Sequence, residues 1–179
     1  MEAAIRSPPH SSRFLIADVA DSSLSLYKVD SLGRRNIQYH AVSTCKKLPA
    51  FSALAWSGDS VVALGLSSGN ASLIRLREDK QPSEISATFK LKQQRKCNSV
   101  ALSTQNWLAV GLDKTRSDVC LNIYDAASEH QEPVRRLCAA ELVSSVRFFS
   151  GQPHELVASV HRAFIRIYDL RGTSRTHTI

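Results

Sequence analysis

Short apolar runs alternate with turn-forming residues along the whole chain. In the clearest runs, Leu121-Asn122-Ile123-Tyr124 and Ile165-Arg166-Ile167-Tyr168, apolar residues take every second position. A period of two places one set of side chains on each face of a β-strand. Serine, glycine, asparagine and proline separate the runs, as turns between strands require. Since no segment sustains a helical period, the pattern predicts an all-β fold.

The order of these runs repeats. Taking Tyr27, Arg75, Tyr124 and Tyr168 as equivalent gives spacings of 48, 49 and 44 residues. In the complete units, two apolar runs come before the run that carries this position and one follows it. Four short strands in a unit of about 45 residues are typical of a propeller blade. The recurrence therefore predicts consecutive four-stranded antiparallel blades.

The number of runs predicts an incomplete β-propeller of about three and a half blades. We expect a flexible N-terminal segment over residues 1–12, a partial propeller over 13–171 and a polar tail over 172–179. The blades are expected to lie approximately at 13–48, 49–92, 93–139 and 140–171. The first unit is expected to lack its innermost strand, and the last unit its outermost strand.

The units resemble the WD40 repeat, with Tyr124-Asp125 and Tyr168-Asp169 where that family usually has Trp-Asp. The Gly-His dipeptide that commonly opens such repeats is absent, so the family's buried His–Asp network is not carried over. The resemblance implies a blade-stabilising role for Asp125 and Asp169, which would hold their strand ends through backbone amides.

A closer resemblance lies in the third unit. Residues 95–101 (RKCNSVA) and 106–114 (NWLAVGLDK), followed by Arg116 and Asp118, are similar to the third blade of the Mio family of WD-repeat proteins. Weaker matches extend the resemblance over residues 13–175. Members of that family are much longer, with a complete propeller, a helical solenoid and a zinc-binding domain. The chain is therefore expected to be an N-terminal fragment, a truncated product or a shortened isoform.

The Mio-like resemblance implies a function. It predicts a non-enzymatic scaffold in a coat-like complex that relays amino-acid sufficiency to target-of-rapamycin signalling, with the other subunits of that complex as partners. It also implies a cytoplasmic location, peripheral at the vacuolar or lysosomal membrane and attached there only through the complex.

The chemistry-bearing residues favour binding over catalysis. The chain has neither a Gly-x-Ser-x-Gly motif nor a glycine-rich phosphate loop, so we predict no catalytic residue and no cofactor. Its four cysteines form no Cys-x-x-Cys pair, which leaves a metal site without support. We expect them to be reduced core residues.

One loop is the candidate partner contact. It carries Asp113, Lys114, Arg116 and Asp118 between the second and third strands of the third unit. Exposed loops on rigid scaffolds often carry binding. The competing interpretation is a solvated loop whose ion pairs contribute little.

The net charge of +7 leaves a second function class open. A generic WD40 propeller could bind an anionic partner, nucleic acid or a lipid headgroup, through its basic loops. The densest basic stretch runs from Lys90 to Lys96 and has no aromatic residues interleaved for base stacking, so direct nucleic-acid binding is not expected.

An incomplete ring leaves two blade faces uncovered. We expect the first unit to expose Leu24, Leu26 and Phe14. We expect the last unit to expose Phe164, Ile165 and Ile167. Because soluble monomers rarely carry such patches, the chain alone is expected to be marginal: aggregated, self-paired or dependent on a partner that completes the ring.

Overall fold

The computed structural model confirms the predicted fold class. It describes residues 3–6, 11–32, 36–56, 60–77, 83–116, 118–128, 130–161, 164–172 and 176–178. Within these residues, sixteen strands form four antiparallel sheets of four strands each. No helix in these ranges is long and apolar enough to cross a membrane.

The strands follow one another through the four sheets in chain order. The first sheet contains β1 (Ala3–Arg6), β2 (Arg13–Asp18), β3 (Ser23–Leu32) and β4 (Ile37–Cys45). The second contains β5 (Phe51–Trp56), β6 (Val61–Leu66), β7 (Ala71–Arg75) and β8 (Glu84–Phe89). The third contains β9 (Cys97–Leu102), β10 (Trp107–Leu112), β11 (Val119–Asp125) and β12 (Arg135–Ala139). The fourth contains β13 (Val143–Phe149), β14 (Gln152–Val160), β15 (Phe164–Asp169) and β16 (Thr176–Thr178).

The sheets are arranged as successive propeller blades. Each strand pairs with the next along the chain, so every sheet is a meander. The first strands β1, β5, β9 and β13 lie beside one another from sheet to sheet. First strands that line a centre, with fourth strands at the periphery, define the blades of a propeller.

Two short terminal strands complete the first and last blades. Strand β1 pairs with β2, where Ile5 lies opposite Ile16, and β16 pairs with β15, where His177 lies opposite Ile167. The expectation that these two strands are missing is therefore wrong. The runs AAIR and THT are too short or too polar to be recognised as strands. They pair because the neighbouring strand offers an open row of backbone donors and acceptors.

The blades pack through three apolar layers that follow one rule. In β11, Leu121 and Ile123 pack with the fourth blade, whereas Tyr124 on the opposite face packs with the second blade. The Tyr124 ring lies 4.8 Å, centroid to centroid, from Phe89 at the end of the preceding blade. We call the side toward the preceding blade the tyrosine face and the side toward the following blade the aliphatic face.

The second blade follows the same rule with one change of residue. Leu73 packs toward the third blade and Ile74 toward the first. Ile74 lies opposite Val62 in β6, as Tyr124 lies opposite Leu108 in β10. Ile74, and not Arg75, is therefore the equivalent of the repeat tyrosine, and the alignment of this unit by Arg75 is wrong by one residue.

Glycines in the second strands allow the blades to approach closely. A Cβ atom at Gly65 would collide with the Sγ atom of Cys97 in the next blade and would lie 3.0 Å from Cγ1 of Val100. At the equivalent Gly111, a Cβ atom would lie 2.8 Å from Cγ1 of Val143. Neighbouring blades could not keep this spacing with larger residues at these two positions.

The uncovered face of the first blade differs from the expectation. Leu24 and Leu26 are each 1% exposed and pack against the second blade, so the prediction that they are uncovered is wrong. Among the described residues, the side that no other blade covers is the tyrosine face. It carries Phe14, Tyr27 and Tyr39, whose ring centroids lie 5.2 to 5.7 Å apart.

The uncovered face of the fourth blade agrees with the expectation for Ile165 and Ile167. Ile165 is 49% exposed, and Ile167 is partly exposed beside it. Phe164 is also exposed, at 44%, but it pairs with Val160, which packs toward the third blade, so it lies on the opposite face and its predicted place beside the two isoleucines is wrong. Ile165 and Ile167 lie opposite Ser159 and Val157 of β14. This open side is the aliphatic face of the last blade.

Candidate interaction loop

The loop between β10 and β11 is fixed to the third blade by one buried arginine. The side chain of Arg95, at the start of the third blade, is only 4% exposed. Its guanidinium donates hydrogen bonds to the Thr115 hydroxyl at 2.9 Å, to Oδ2 of Asp118 at 3.1 Å and to the carbonyl oxygen of Val119. These hydrogen bonds of Arg95 therefore fix the loop to the start of the third blade.

The two acidic residues of the loop form hydrogen bonds with other residues of the third blade. Asp118 forms the ion pair with Arg95, and its Oδ1 atom accepts a hydrogen bond from the Val119 amide at 2.7 Å. Oδ1 of Asp113 accepts a hydrogen bond from Nδ2 of Asn98 at 2.8 Å. These contacts tie both carboxylates to neighbouring strands.

The two basic residues of the loop point away from these contacts. Lys114 and Arg116 are exposed, while Asp113 and Asp118 are partly buried. The loop thus presents positive charge outward on a rigid base. The four predicted residues lie on one loop, but their charges are divided between an inner acidic side and an outer basic side.

Sequence reasoning missed the role of Arg95. In the sequence it is one of several basic residues in a polar connection that resembles a solvated loop. Charge pattern alone does not separate it from Lys92 or Lys96, which are exposed. Its burial depends on acceptors supplied about twenty residues later in the chain, and no local signal encodes them.

The fold gathers exposed basic residues of several connections at one rim of the blades. In a meander, the connections before the first strand and after the second strand lie at the same end of the sheet. That end therefore collects the basic residues of three connections, which are all exposed: Lys46, Lys47, Lys90, Lys92, Lys96, Lys114 and Arg116.

A polar cavity of about 410 Å³ opens along the inner strands β5, β9 and β13. Lys96 and Arg147 contribute the charged groups of its lining, and Ser145 contributes a hydroxyl. Among the described residues, no carboxylate lines it. A negatively charged group bound in this cavity would therefore lie close to two cationic side chains.

Asp125 and Asp169 both accept hydrogen bonds from backbone amides two residues ahead. Oδ1 of Asp125 accepts from Ala127, and Oδ1 of Asp169 accepts from Arg171, each at 2.9 Å. The Arg171 guanidinium also bonds the Asp169 carboxylate and lowers the pKa of that group to about 2. Both residues therefore order the turn that follows a third strand.

All four cysteines are buried and free, as expected for core residues. Burial raises the pKa of the Cys97 thiol to about 12. Cys138 approaches the Tyr168 hydroxyl at 2.7 Å, which links the third blade to the fourth. Their positions are those of packing residues between blades.

Most of the chain is similar in sequence to proteins of one complex. It is 31% identical to "GATOR2 complex protein MIOS-A" of Xenopus laevis and 28% identical to "GATOR2 complex protein MIOS" of Danio rerio, each over 94% of this chain. It is 25% identical to "GATOR2 complex protein Mio" of Drosophila melanogaster over 67% of this chain. No protein-family model matches the chain.

The match covers only part of those relatives. The chain spans 24% of the length of each MIOS protein and 14% of the Drosophila protein. The alignment with the Xenopus protein extends over 214 positions, which exceeds the 179 residues of this chain. The relative therefore carries residues inside the matched region that this chain lacks.

Proposed function

Over most of its length the chain is homologous to GATOR2 complex proteins of the MIOS and Mio type, and we propose that it is a non-enzymatic interaction module of such a complex. Its partners would be the other subunits. The output of the complex would be the relay of amino-acid sufficiency to target-of-rapamycin signalling. The module would act in the cytoplasm, at the surface of the vacuole or lysosome, and would reach the membrane only through the complex.

The loop between β10 and β11 supports a binding role. A partner can use a loop best when the loop is already ordered, because less conformational entropy is then lost on binding. The Arg95 anchor provides that order, and Lys114 and Arg116 remain exposed for an acidic surface. This two-sided arrangement is the observation that carries the proposal.

Affinity purification tests the proposal. The tagged chain, expressed in cells, is expected to recover subunits of a GATOR2-type complex, and the double variant Lys114→Glu/Arg116→Glu is expected to lose them. The matched control Lys28→Glu/Arg135→Glu makes the same change in net charge at exposed positions away from the loop and should retain them. Recovery of a splicing or chromatin assembly instead would refute the assignment.

A second function is favoured by the basic rim and the cavity beside it. Seven exposed cations share one end of the blades, and Lys96 and Arg147 line a cavity free of carboxylates in the described residues. An anionic partner would bind there through charge. Its affinity should fall steeply as salt rises because all seven cations take part, whereas a protein contact made through Lys114 and Arg116 alone should show a smaller salt slope. A salt titration of the bound partner separates the two functions.

A further inference from the structure

The exposed cations of the basic rim are almost all lysines. The seven residues of the rim include six of the chain's eight lysines but only one of its fifteen arginines, Arg116. The fold thus separates the two kinds of cation, and the kind found at the rim indicates the partner. We propose that the basic rim lies directly against the surface of an anionic lipid bilayer. This contact rests on the second proposed function, in which the rim binds an anionic partner, and it would replace attachment through the complex alone.

The rim presents positive charge to the outside without exposed carboxylates. It consists of the connections 46–50, 90–96 and 113–118, whose only carboxylates among the described residues are those of Asp113 and Asp118. Both are partly buried and bonded inward, to Asn98 and to Arg95. Because Arg95 belongs to one connection and bonds the next, these two connections form one rigid surface. A negatively charged plane would therefore be attracted by every charge that the rim exposes.

Lysine is the cation that suits a diffuse negative surface. An arginine binds a carboxylate or phosphate through a planar fork of donors, whereas a lysine is a strongly hydrated point charge without such a fork. Interfaces between proteins are enriched in arginine and aromatic residues and depleted of lysine. Binding of single-stranded nucleic acid uses aromatic side chains for stacking, and the three connections contain none. Clusters of four to eight basic residues are typical of binding to anionic lipids.

The larger apolar side chains of these connections point into the blades. Leu48 is 6% exposed and packs in the layer between the first two blades. Leu91 is partly buried and packs against the layer between the second and third blades. The rim therefore offers charge without an apolar group to insert among the lipids. We expect binding that depends on charge alone and is reversed by salt.

Co-sedimentation with vesicles tests the proposal on the purified chain. At low salt the chain is expected to bind vesicles of phosphatidylcholine mixed with phosphatidylserine and to ignore vesicles of pure phosphatidylcholine. Binding should be lost at about 1 M salt, where the screening length falls to about 3 Å. Soluble glycerophosphoserine should not compete, because a single headgroup lacks the field of a charged surface.

Neutralising four lysines separates the rim from the overall charge of the chain. The variant Lys46→Gln/Lys47→Gln/Lys90→Gln/Lys92→Gln leaves the loop between β10 and β11 unchanged and should bind the mixed vesicles at least about 100-fold more weakly. If circular dichroism shows that it does not fold, Lys46→Gln/Lys47→Gln replaces it, with an expected loss of about tenfold or more.

The matched control removes the same number of charges at exposed positions away from the rim: Lys28→Gln/Arg75→Gln/Arg135→Gln/Arg136→Gln. It should bind the vesicles within about threefold of the unchanged chain. Equal losses in the control and the rim variant would mean that net charge alone attracts the chain, and would overturn the proposal.

The same assay distinguishes the bilayer from other anions. Competition by glycerophosphoserine, or tighter binding of single-stranded RNA than of the mixed vesicles at equal salt, would keep the second proposed function and overturn the bilayer as its partner. A chain that binds neither the vesicles nor the RNA would refute both.

Discussion

Replacing Arg95 by methionine should both destabilise the third blade and release the candidate interaction loop. Methionine keeps much of the buried volume, so the cavity contribution to the loss is small. It removes every hydrogen bond that the guanidinium donates, including those to Thr115 and to the carbonyl oxygen of Val119. The variant therefore isolates the polar anchor from the packing around it.

The expected loss follows from the acceptors left behind. A buried acceptor without a donor costs about 1–3 kcal/mol, and the Val119 carbonyl is the main one here. The Asp118 side chain is 40% exposed and can be hydrated, so its ion pair adds at most about 1 kcal/mol. The free energy of unfolding should therefore fall by about 1–4 kcal/mol.

Urea unfolding, followed by tryptophan fluorescence, measures this loss. With a slope of about 2 kcal/mol per molar urea, the midpoint should fall by about 0.5–2 M. Hydrogen exchange should also show that the amides of residues 113–116, 118 and 119 lose protection. The control Arg135→Met changes an exposed arginine on β12 and should alter stability by less than about 0.5 kcal/mol. An Arg95→Met midpoint equal to that of the control, or unchanged exchange in the loop, would refute the anchor.

Three further predictions concern blade spacing, thiol chemistry and pH. Gly65→Ala should lower the free energy of unfolding by about 1–3 kcal/mol, because the added Cβ atom collides with the next blade. The control Gly172→Ala should leave it unchanged, because a Cβ atom there meets nothing within 4 Å, and equal urea midpoints for the two variants would contradict this prediction. The Cys97 thiol should resist iodoacetamide at pH 8 until the chain unfolds, because its pKa of about 12 leaves almost no reactive thiolate. Rapid labelling of Cys97 in the folded chain, detected by mass spectrometry, would count against this. The Asp169 carboxyl should stay ionised as the pH falls below its ordinary pKa of 3.8 and protonate only near pH 2, so the stability it contributes is lost across that window; in Arg171→Gln an NMR titration should find the pKa raised toward 3.8 but still below it, because the amide of residue 171 keeps its hydrogen bond to Asp169, and an unmoved pKa would argue against the guanidinium contact.

The blades could be predicted from sequence because their strands carry a local signal. Alternation in β11 and β15 places aliphatic and polar side chains on opposite faces without reference to the rest of the fold. In β7, Leu73 and Ile74 are both buried, so alternation disappears and the register becomes ambiguous by one residue. The pairing of Ile74 in β7 with Val62 in β6 fixes the register, and the sequence of β7 alone does not predict that pairing.

The local pattern could not predict which neighbouring blade each face of a sheet contacts. Alternation separates Leu24 and Leu26 from Tyr27, but it does not say which neighbour each side meets. That choice belongs to the assembled blades, where every aliphatic face points toward the following blade. The repeat equivalence itself carries the answer, because Leu24 and Leu26 correspond to Ile165 and Ile167 and must face the same way around the ring. These aliphatic residues therefore cannot be uncovered in both the first and the fourth blade. The first blade ends in an aromatic face and the fourth in an aliphatic face, so any contact that continues the row of blades must join unlike faces.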